Sequence, residues 1–483
     1  MAMFFKRFFD EKLAQVSYLV GCQVTDEALV VDPNRNLDPY VEAASAEKLR
    51  IAQVTETHIH ADFVSGAREL AQRTGARLLL SAEGGSEWQY QYADEPGIEL
   101  LHDGSCFQVG KVRVDVLHLP GHTPEHLGFL VTDTAAATEP MGAFTGDFLF
   151  VGDVGRPDLL ERAAGQAGTM EVGARRLFRS LQRFRQLSDY LQIWPGHGAG
   201  SACGKMLGAV PQSTLGYEKR FNWAFSIEDE AEFVRAVLAG QPDPPRYFAQ
   251  MKRINQSGPR MLGTLRRPPR LPVGKLAELL ASGTLVVDTR PAGEYAAGAI
   301  PGTLNIPLGR SFTTWAGWLI PYDRDFVLIV DDHRTHRVEE AVRDLAGIGL
   351  DRVIAYCGAE VVEAWRTARG QLQTIESIPS QDVAEAVASN RAAFLDVRSL
   401  EEWSAGHLPG ARNLPLGELD ERLNEVPRDQ PVIVHCQSGA RAAIAASLLF
   451  SRGISNVQQY PGGFGDWVAA GRPVEKGEVR GKR

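Results

Sequence analysis

At 483 residues the chain is too long for a single hydrophobic core, and ordinary domain sizes make three domains the natural reading. An apolar share of 44%, a charged share of 23% and a mean hydropathy of -0.18 exclude a largely disordered chain. The formal net charge of -9 provides no basic field for phosphate backbones or acidic lipids, so no nucleic acid and no membrane is expected as a partner.

The N-terminal stretch MAMFFKRFFDEKLAQVSYLVGC mixes aromatic and charged residues and never sustains the apolar run of a signal peptide or membrane span, so a cytoplasmic protein is expected. Five cysteines, Cys22, Cys106, Cys203, Cys357 and Cys436, are odd in number and scattered without a CxxC pair. That pattern argues for free thiols rather than a disulfide framework.

Strand-like runs then follow at EALVVDP, KVRVDVLHL (111 to 119), LGFLV and AFTGD. Helices are expected beside EKLRIA and over SGARELAQRTG and RRLFRSLQRF, making a mixed, layered α/β domain. Two Pro-rich stretches, QPDPPR (241 to 246) and RRPPRLP (266 to 272), punctuate the chain and put the end of this domain near residue 260.

Within it, four pieces each close a strand-like run: THIHADF with His58, His60, Asp62 and Phe63; LPGHTPEH with His122 and His126; FTGD with Asp147; and WPGHG with His197. Loops at strand ends can aim side chains from distant positions at one point while the sheet beneath stays apolar, so a site built from several loops is expected. His102, His118 and His126 read as structural. Cys203, six residues after His197 in the small-residue loop GAGSACGK, is expected to run beside that site.

These pieces, in this order and spacing, resemble the metallo-β-lactamase superfamily over about the first half of the chain. More narrowly, THIHADFVSGARELA, GHTPEHLGF, FTGDFLFVGDVGRPDL and WPGHGAGSACGK are similar to its persulfide dioxygenases. The resemblance implies an αββα sandwich over residues 1 to 260 and one Fe(II) per chain, held by His58, His122 and Asp147. Two imidazoles and one carboxylate leave three coordination positions open, as non-haem iron needs when it must bind substrate and dioxygen; a structural zinc would be closed by four protein ligands. Two-metal relatives carry His-x-His-x-Asp-His, but position 63 is Phe, which leaves a second metal on Asp62 and His197 short of a ligand. His60, Asp62 and His197 are therefore expected to orient ligands or bound water. Two readings of Cys203 stand side by side: a pocket thiol that receives or passes on sulfane sulfur, and a buried thiol without chemistry.

Beyond residue 260 the chain repeats itself. VDTRPAGEYAAGAIPGTLNIPLG from Val287 returns as LDVRSLEEWSAGHLPGARNLPLG from Leu395, with Asp288 and Arg290 matched by Asp396 and Arg398 at an offset of 108. Each unit reads as a short apolar strand, a Gly/Pro turn region, a second buried strand (FVLIV or PVIVH) and, in the last, a helix RAAIAASLLFSRG closed by Gly453. Two α/β domains with central parallel sheets follow, over 270 to 372 and 378 to 480.

In the last repeat PVIVH delivers Cys436 into CQSGAR, directly before that helix. A helix N-terminus turns backbone N–H groups and the positive end of its dipole on such a thiol, favouring the anion, and Arg441 adds charge at the rim. This loop, with DVRSLEEWSAGHLPGARN before it and YPGGFGDW after it, resembles single-domain rhodaneses. The resemblance implies that Cys436 is the sulfur-carrying nucleophile and that Gln437, Ser438, Gly439, Ala440 and Arg441 bind the sulfur anion. In the middle repeat, aligning VLIV (327 to 330) with VIVH (432 to 435) puts Asp331 at the nucleophile position and DHRTHR in place of the loop. A carboxylate cannot carry sulfane sulfur, so a non-catalytic spacer or interface is expected there.

The implied activity is oxidation of a low-molecular-weight persulfide by dioxygen to sulfite, coupled to a sulfurtransferase that forms or uses thiosulfate. A dizinc thioester hydrolase with a sulfur-carrier rhodanese is the alternative, opposed by Phe63; a non-catalytic persulfide carrier or sensor is a third, opposed by the intact metal set. Homo-oligomerisation stays open.

Overall fold

The alternating run KVRVDVLHL forms the strand Val112–His118, with Val112, Val114 and Val116 buried and Arg113 exposed, as a period of two requires of a strand with one face turned to the core. In this computed structural model the described residues are 3–164, 168–201, 203–205, 207–208, 210–241 and 244–477. Positions 242 and 243 of the first Pro-rich stretch, and 478 to 480 of the expected last domain, lie outside them. The chain divides into two compact units, Met1–Leu265 with Arg343–Gly349, and Arg266–Val342 with Leu350–Arg483.

The first unit is built on two six-stranded sheets. One runs, in spatial order, Met3–Asp10, Gln15–Cys22, Glu27–Val31, Arg50–Thr55, Arg77–Ser81 and Ile98–Leu101. The other runs Ser213–Thr214, Gln192–Pro195, Gly142–Gly146, Leu127–Asp133, Val112–His118 and Cys106–Val109. The N-terminal stretch, which hydropathy alone marks only as no membrane span, supplies an antiparallel strand pair with Phe5 opposite Val20. Val16, Tyr18 and Val20 of the first sheet share a core with Val112, Val114, Phe129 and Phe144 of the second, so the sheets face each other. On the outer face of the first pack Tyr40, Ala43 and Leu70 from the helices Asp38–Ala46 and Ala67–Thr74. On the outer face of the second pack Leu177, Leu181 and Phe233 from Thr169–Phe184 and Glu230–Leu238. The layering is αββα, each element burying one apolar face.

The second unit holds two parallel sheets. The middle repeat orders its strands Leu304–Asn305, Leu285–Asp288, Phe326–Val330 and Val353–Gly358. The last orders Glu376–Ser377, Val457–Gln459, Val432–His435, Ala393–Asp396 and Arg412–Asn413. The helix Ala440–Ser451 is buried from Ala442 to Leu449, a pattern a one-sided helix does not show. Part of its cover is the middle repeat: the Asn305 N–H donates to Ser447 Oγ at 3.0 Å. No helix among the described residues is long and apolar enough to cross a membrane.

Candidate metal centre and candidate thiol site

Three loops of the first unit leave strands that run in the same direction in the second sheet, after His118, Gly146 and Pro195, and so open at one sheet edge. With the loop after Thr55 they bring His58, His122 and Asp147 together, each buried, with one ligand atom apiece within 4.8 Å of the others. His122 Nε2 lies 3.6 Å and His58 Nε2 4.0 Å from Asp147 Oδ2. His58 Nε2 and both Asp147 oxygens take part in no hydrogen bond of acceptable geometry among the described residues. Buried polar atoms are rarely left so. Two converging imidazole nitrogens and a carboxylate, with His58 Nε2 and the carboxylate unsatisfied, fit a metal ion with positions left over for other ligands.

The opposite ring nitrogens are held. His58 Nδ1 donates to Thr57 Oγ1 at 3.0 Å, and that hydroxyl donates to Asp32 at 2.9 Å. His122 Nδ1 donates to the Arg156 carbonyl at 3.1 Å. Each partner fixes the tautomer that leaves Nε2 free for a metal. Burial holds His58 well below the ordinary histidine value and lowers His122, so both are neutral, as ligands must be. Against the upward push of burial, His197, His58 and His122 hold Asp147 well below the carboxylate range.

The other candidates separate. His60 turns away from the triad and places Nε2 3.1 Å from Asp32 Oδ1. Although burial opposes it, the charge of Asp32 pushes His60 up to about 9. Asp62 and His197 adjoin the triad at the same carboxylate oxygen, with His197 Nε2 3.2 Å from Asp62 Oδ2 and 3.3 Å from Asp147 Oδ2. Cys203 joins them: Asp62, His197 and Cys203 form a second buried group whose ligand atoms lie within 4.8 Å of one another. Burial, and then Asp62 and Asp147, push the Cys203 thiol up to about 12. The expected placement of Cys203 beside the site holds, and its thiol stands with Asp62 and His197, the pair that Phe63 leaves short of a ligand. His126 is structural, its Nε2 accepting the Asp147 N–H at 3.1 Å.

Three positioning residues escape a motif-based reading. Asp32 accepts from the Thr57 N–H at 2.6 Å as well as from its hydroxyl. Glu125 accepts from the Ile59 N–H at 2.8 Å, and Asn255 donates to the carbonyls of His60 and Phe63, both at 2.7 Å. Glu125 lies inside the LPGHTPEH motif; Asp32 and Asn255 carry no local signal.

In the last repeat Cys436 follows Val432–His435 and is buried, four residues before the helix. Arg441 is not a free rim charge: Glu402 holds it with both oxygens, at 2.6 and 2.7 Å. Arg398, fully buried, pairs with Asp396 at 2.7 Å, donates to the Gly406 carbonyl at 2.7 Å and reaches Gln437 Oε1 at 3.3 Å. The middle repeat keeps the pair, Arg290 with Asp288 at 2.7 Å. Its thiol position needs correction. Strand register sets Asp396 opposite His435 but Asp288 opposite Ile329, so the counterpart of Cys436 is Val330, and Asp331 lies one residue beyond. Four apolar residues in a row cannot fix register from sequence. No thiol stands there in either alignment. The replacing loop borders a cavity of about 330 Å³ lined by Arg267, Asp332, His333, Arg334 and His336.

Residues 11–197 match the model of the metallo-beta-lactamase superfamily, and 273–369 and 380–470 that of the rhodanese-like domain. A crystal structure of a metallo-beta-lactamase from Staphylococcus aureus is 43% identical, covering 74% of this chain and 99% of that one with a TM-score of 0.66. A beta-lactamase hydrolase-like protein of Xylella fastidiosa is 27% identical over 260 residues, 47% of this chain and 53% of the relative. A hydroxyacylglutathione hydrolase of Methylococcus capsulatus is 32% identical over 160 residues, 33% of this chain and 53% of the relative. The chain spans about half the length of these two curated relatives.

Proposed function

The chain belongs to the metallo-beta-lactamase superfamily and carries two rhodanese-like domains, and from that premise we propose that it oxidises a low-molecular-weight persulfide and transfers sulfane sulfur. The observation that carries this is the convergence of His58, His122 and Asp147, with His58 Nε2 and both Asp147 oxygens unsatisfied, in one chain with the thiol Cys436. The overall change is RSSH, dioxygen and water to RSH, sulfite and two protons.

Iron(II) held by His58, His122 and Asp147 would supply Lewis acidity and electrons. The chain does the rest. The neutral imidazoles leave the site's negative charge to one ligand carboxylate, Asp147, so a persulfide anion meets little repulsion. Burial of the whole constellation excludes bulk water and strengthens each electrostatic contact. In the last repeat the Cys436 thiolate attacks the terminal sulfur of a persulfide, forming an S–S bond and releasing RSH once a proton is taken up. Sulfite then attacks that sulfur, giving thiosulfate and regenerating the thiolate. Linking the two sites raises the local concentration of their shared intermediates.

A second reading, a two-zinc thioester hydrolase, is favoured by the group Asp62, His197 and Cys203, which offers a second cation three buried donors. Metal analysis of the purified protein, together with oxygen uptake on adding a persulfide, separates the two. One iron with rapid uptake supports the dioxygenase; two zinc ions with thioester cleavage and no uptake overturn it.

A further inference from the structure

The Cys436 loop is anchored through the side chains of Gln437 and Arg441, and its backbone is held separately. Gly439, which caps the helix Ala440–Ser451, makes no side-chain cap, and the backbone is instead gripped from behind by the segment Pro461–Gly465. The Phe464 N–H donates to the Cys436 carbonyl at 2.7 Å and the Gly465 N–H to the Gln437 carbonyl at 3.0 Å. In a trans peptide the C=O and the following N–H point in opposite directions. Tying both carbonyls to residues 464 and 465 therefore turns the N–H groups of Gln437 and Ser438 to the other side, and neither has a backbone acceptor among the described residues.

Glycine is required for this grip. Gly463 has φ 63°, and a Cβ there would lie 2.5 Å from the Cys436 carbonyl oxygen. Gly439 has φ 87°, and a Cβ there would lie 2.4 Å from the Pro461 oxygen. In the middle repeat, where CGAEVV follows Tyr356, no backbone N–H beyond the strand pairing reaches the carbonyl of Val330 or Asp331, the counterparts of Cys436 and Gln437, among the described residues.

We infer that the Gly463–Gly465 turn is the positioning element of the thiol site: it fixes the Cys436 loop so that free N–H groups collect an anion at the sulfur. The inference rests on the sulfurtransferase reading for the identity of that anion, a persulfide sulfur or a sulfur oxyanion. The middle repeat has neither these N–H contacts nor the thiol among the described residues.

The test is alkylation of Cys436 in the full-length protein by iodoacetate and by iodoacetamide, resolved to that cysteine by peptide mass spectrometry. Both reagents form the same S–C bond and release iodide; they differ in charge. Gly463→Ala should lower the iodoacetate-to-iodoacetamide rate ratio about tenfold, the low end of the scale for weakening one hydrogen bond to a charged group. Gly465→Ala, whose Cβ would lie 3.1 Å from the Gln437 oxygen, should lower it less. Gly471→Ala shares the left-handed strain, at φ 65°, but meets nothing within 4 Å and should leave the ratio unchanged. A folded Gly463→Ala protein with the parent ratio overturns the inference. If that variant does not fold, an unchanged ratio in Gly465→Ala does so. A clamp-dependent ratio in a protein that transfers no sulfur would leave the inference standing and remove the sulfurtransferase reading.

Discussion

Glu402 grips Arg441 with both carboxylate oxygens across 39 residues of chain, and the same carboxylate accepts the Ser399 N–H at 3.0 Å to close the capping box of its own helix. The only cation of the CQSGAR loop is therefore anchored by an acidic partner while still facing Cys436.

Glu402→Gln should destabilise the protein at neutral pH by about 1 kcal/mol, the scale of a partly exposed pair with one cap contact. Burial pushes the Glu402 carboxyl up, but Arg441 and the Ser399 N–H outweigh it and hold the carboxyl low. A depressed carboxyl stabilises the fold above its unfolded value and loses that contribution as pH falls. Denaturant unfolding should thus separate the variant from the parent at pH 7 and bring them together below about pH 4. A pH-independent gap would mean that packing, not charge, makes the contact.

Asp32 reaches the metal group through Thr57 and also holds His60. Asp32→Asn should weaken metal binding by about 10- to 100-fold, as losses of ligand-orienting partners do. Competition with a chelator of known affinity reads this directly, without any turnover assay.

Cys203→Ser should leave one metal per chain, because the proposed iron is held by His58, His122 and Asp147 alone. Elemental analysis after loading with excess iron or zinc checks it. A fall from two ions to one would instead assign Cys203 to a second cation.

His435 is fully buried with neither ring nitrogen hydrogen-bonded among the described residues, and burial pushes it down to about 4. A histidine with a depressed folded value stays neutral in the native state while the unfolded chain takes up a proton. Stability is then full above pH 6.5 and is lost on acidification towards pH 4, by on the order of 3 kcal/mol in all. His435→Phe removes the titrating group at similar bulk, so the melting temperature of the rhodanese repeats should fall less steeply over that range. Parallel slopes for parent and variant would refute this.

Much of the centre was legible because its residues sit in short motifs at strand ends, where chemistry and local structure coincide. His58, His122 and Asp147 could be named from such motifs, and the helix after Cys436 from its apolar run and closing glycine. Arg398 showed only as a repeat match and Glu402 only as an acidic residue in SLEEW; their partners, Gln437 and Arg441, lie 39 residues further on. The identity of the residue facing Asp288 was lost in a uniformly apolar strand, where neighbouring registers look alike.

Composition, periodicity and motif spacing by themselves determined the layered N-terminal architecture, the internal repeat, the residue types able to hold a metal and the thiol placed just before a helix. These are local properties, set by which side chains follow one another. Only the tertiary structure decided that His60 belongs to Asp32, that Cys203 stands with Asp62 and His197, and that residues 463 to 465 hold the Cys436 loop. Such contacts join residues far apart in the chain, and chain folding alone sets their distances.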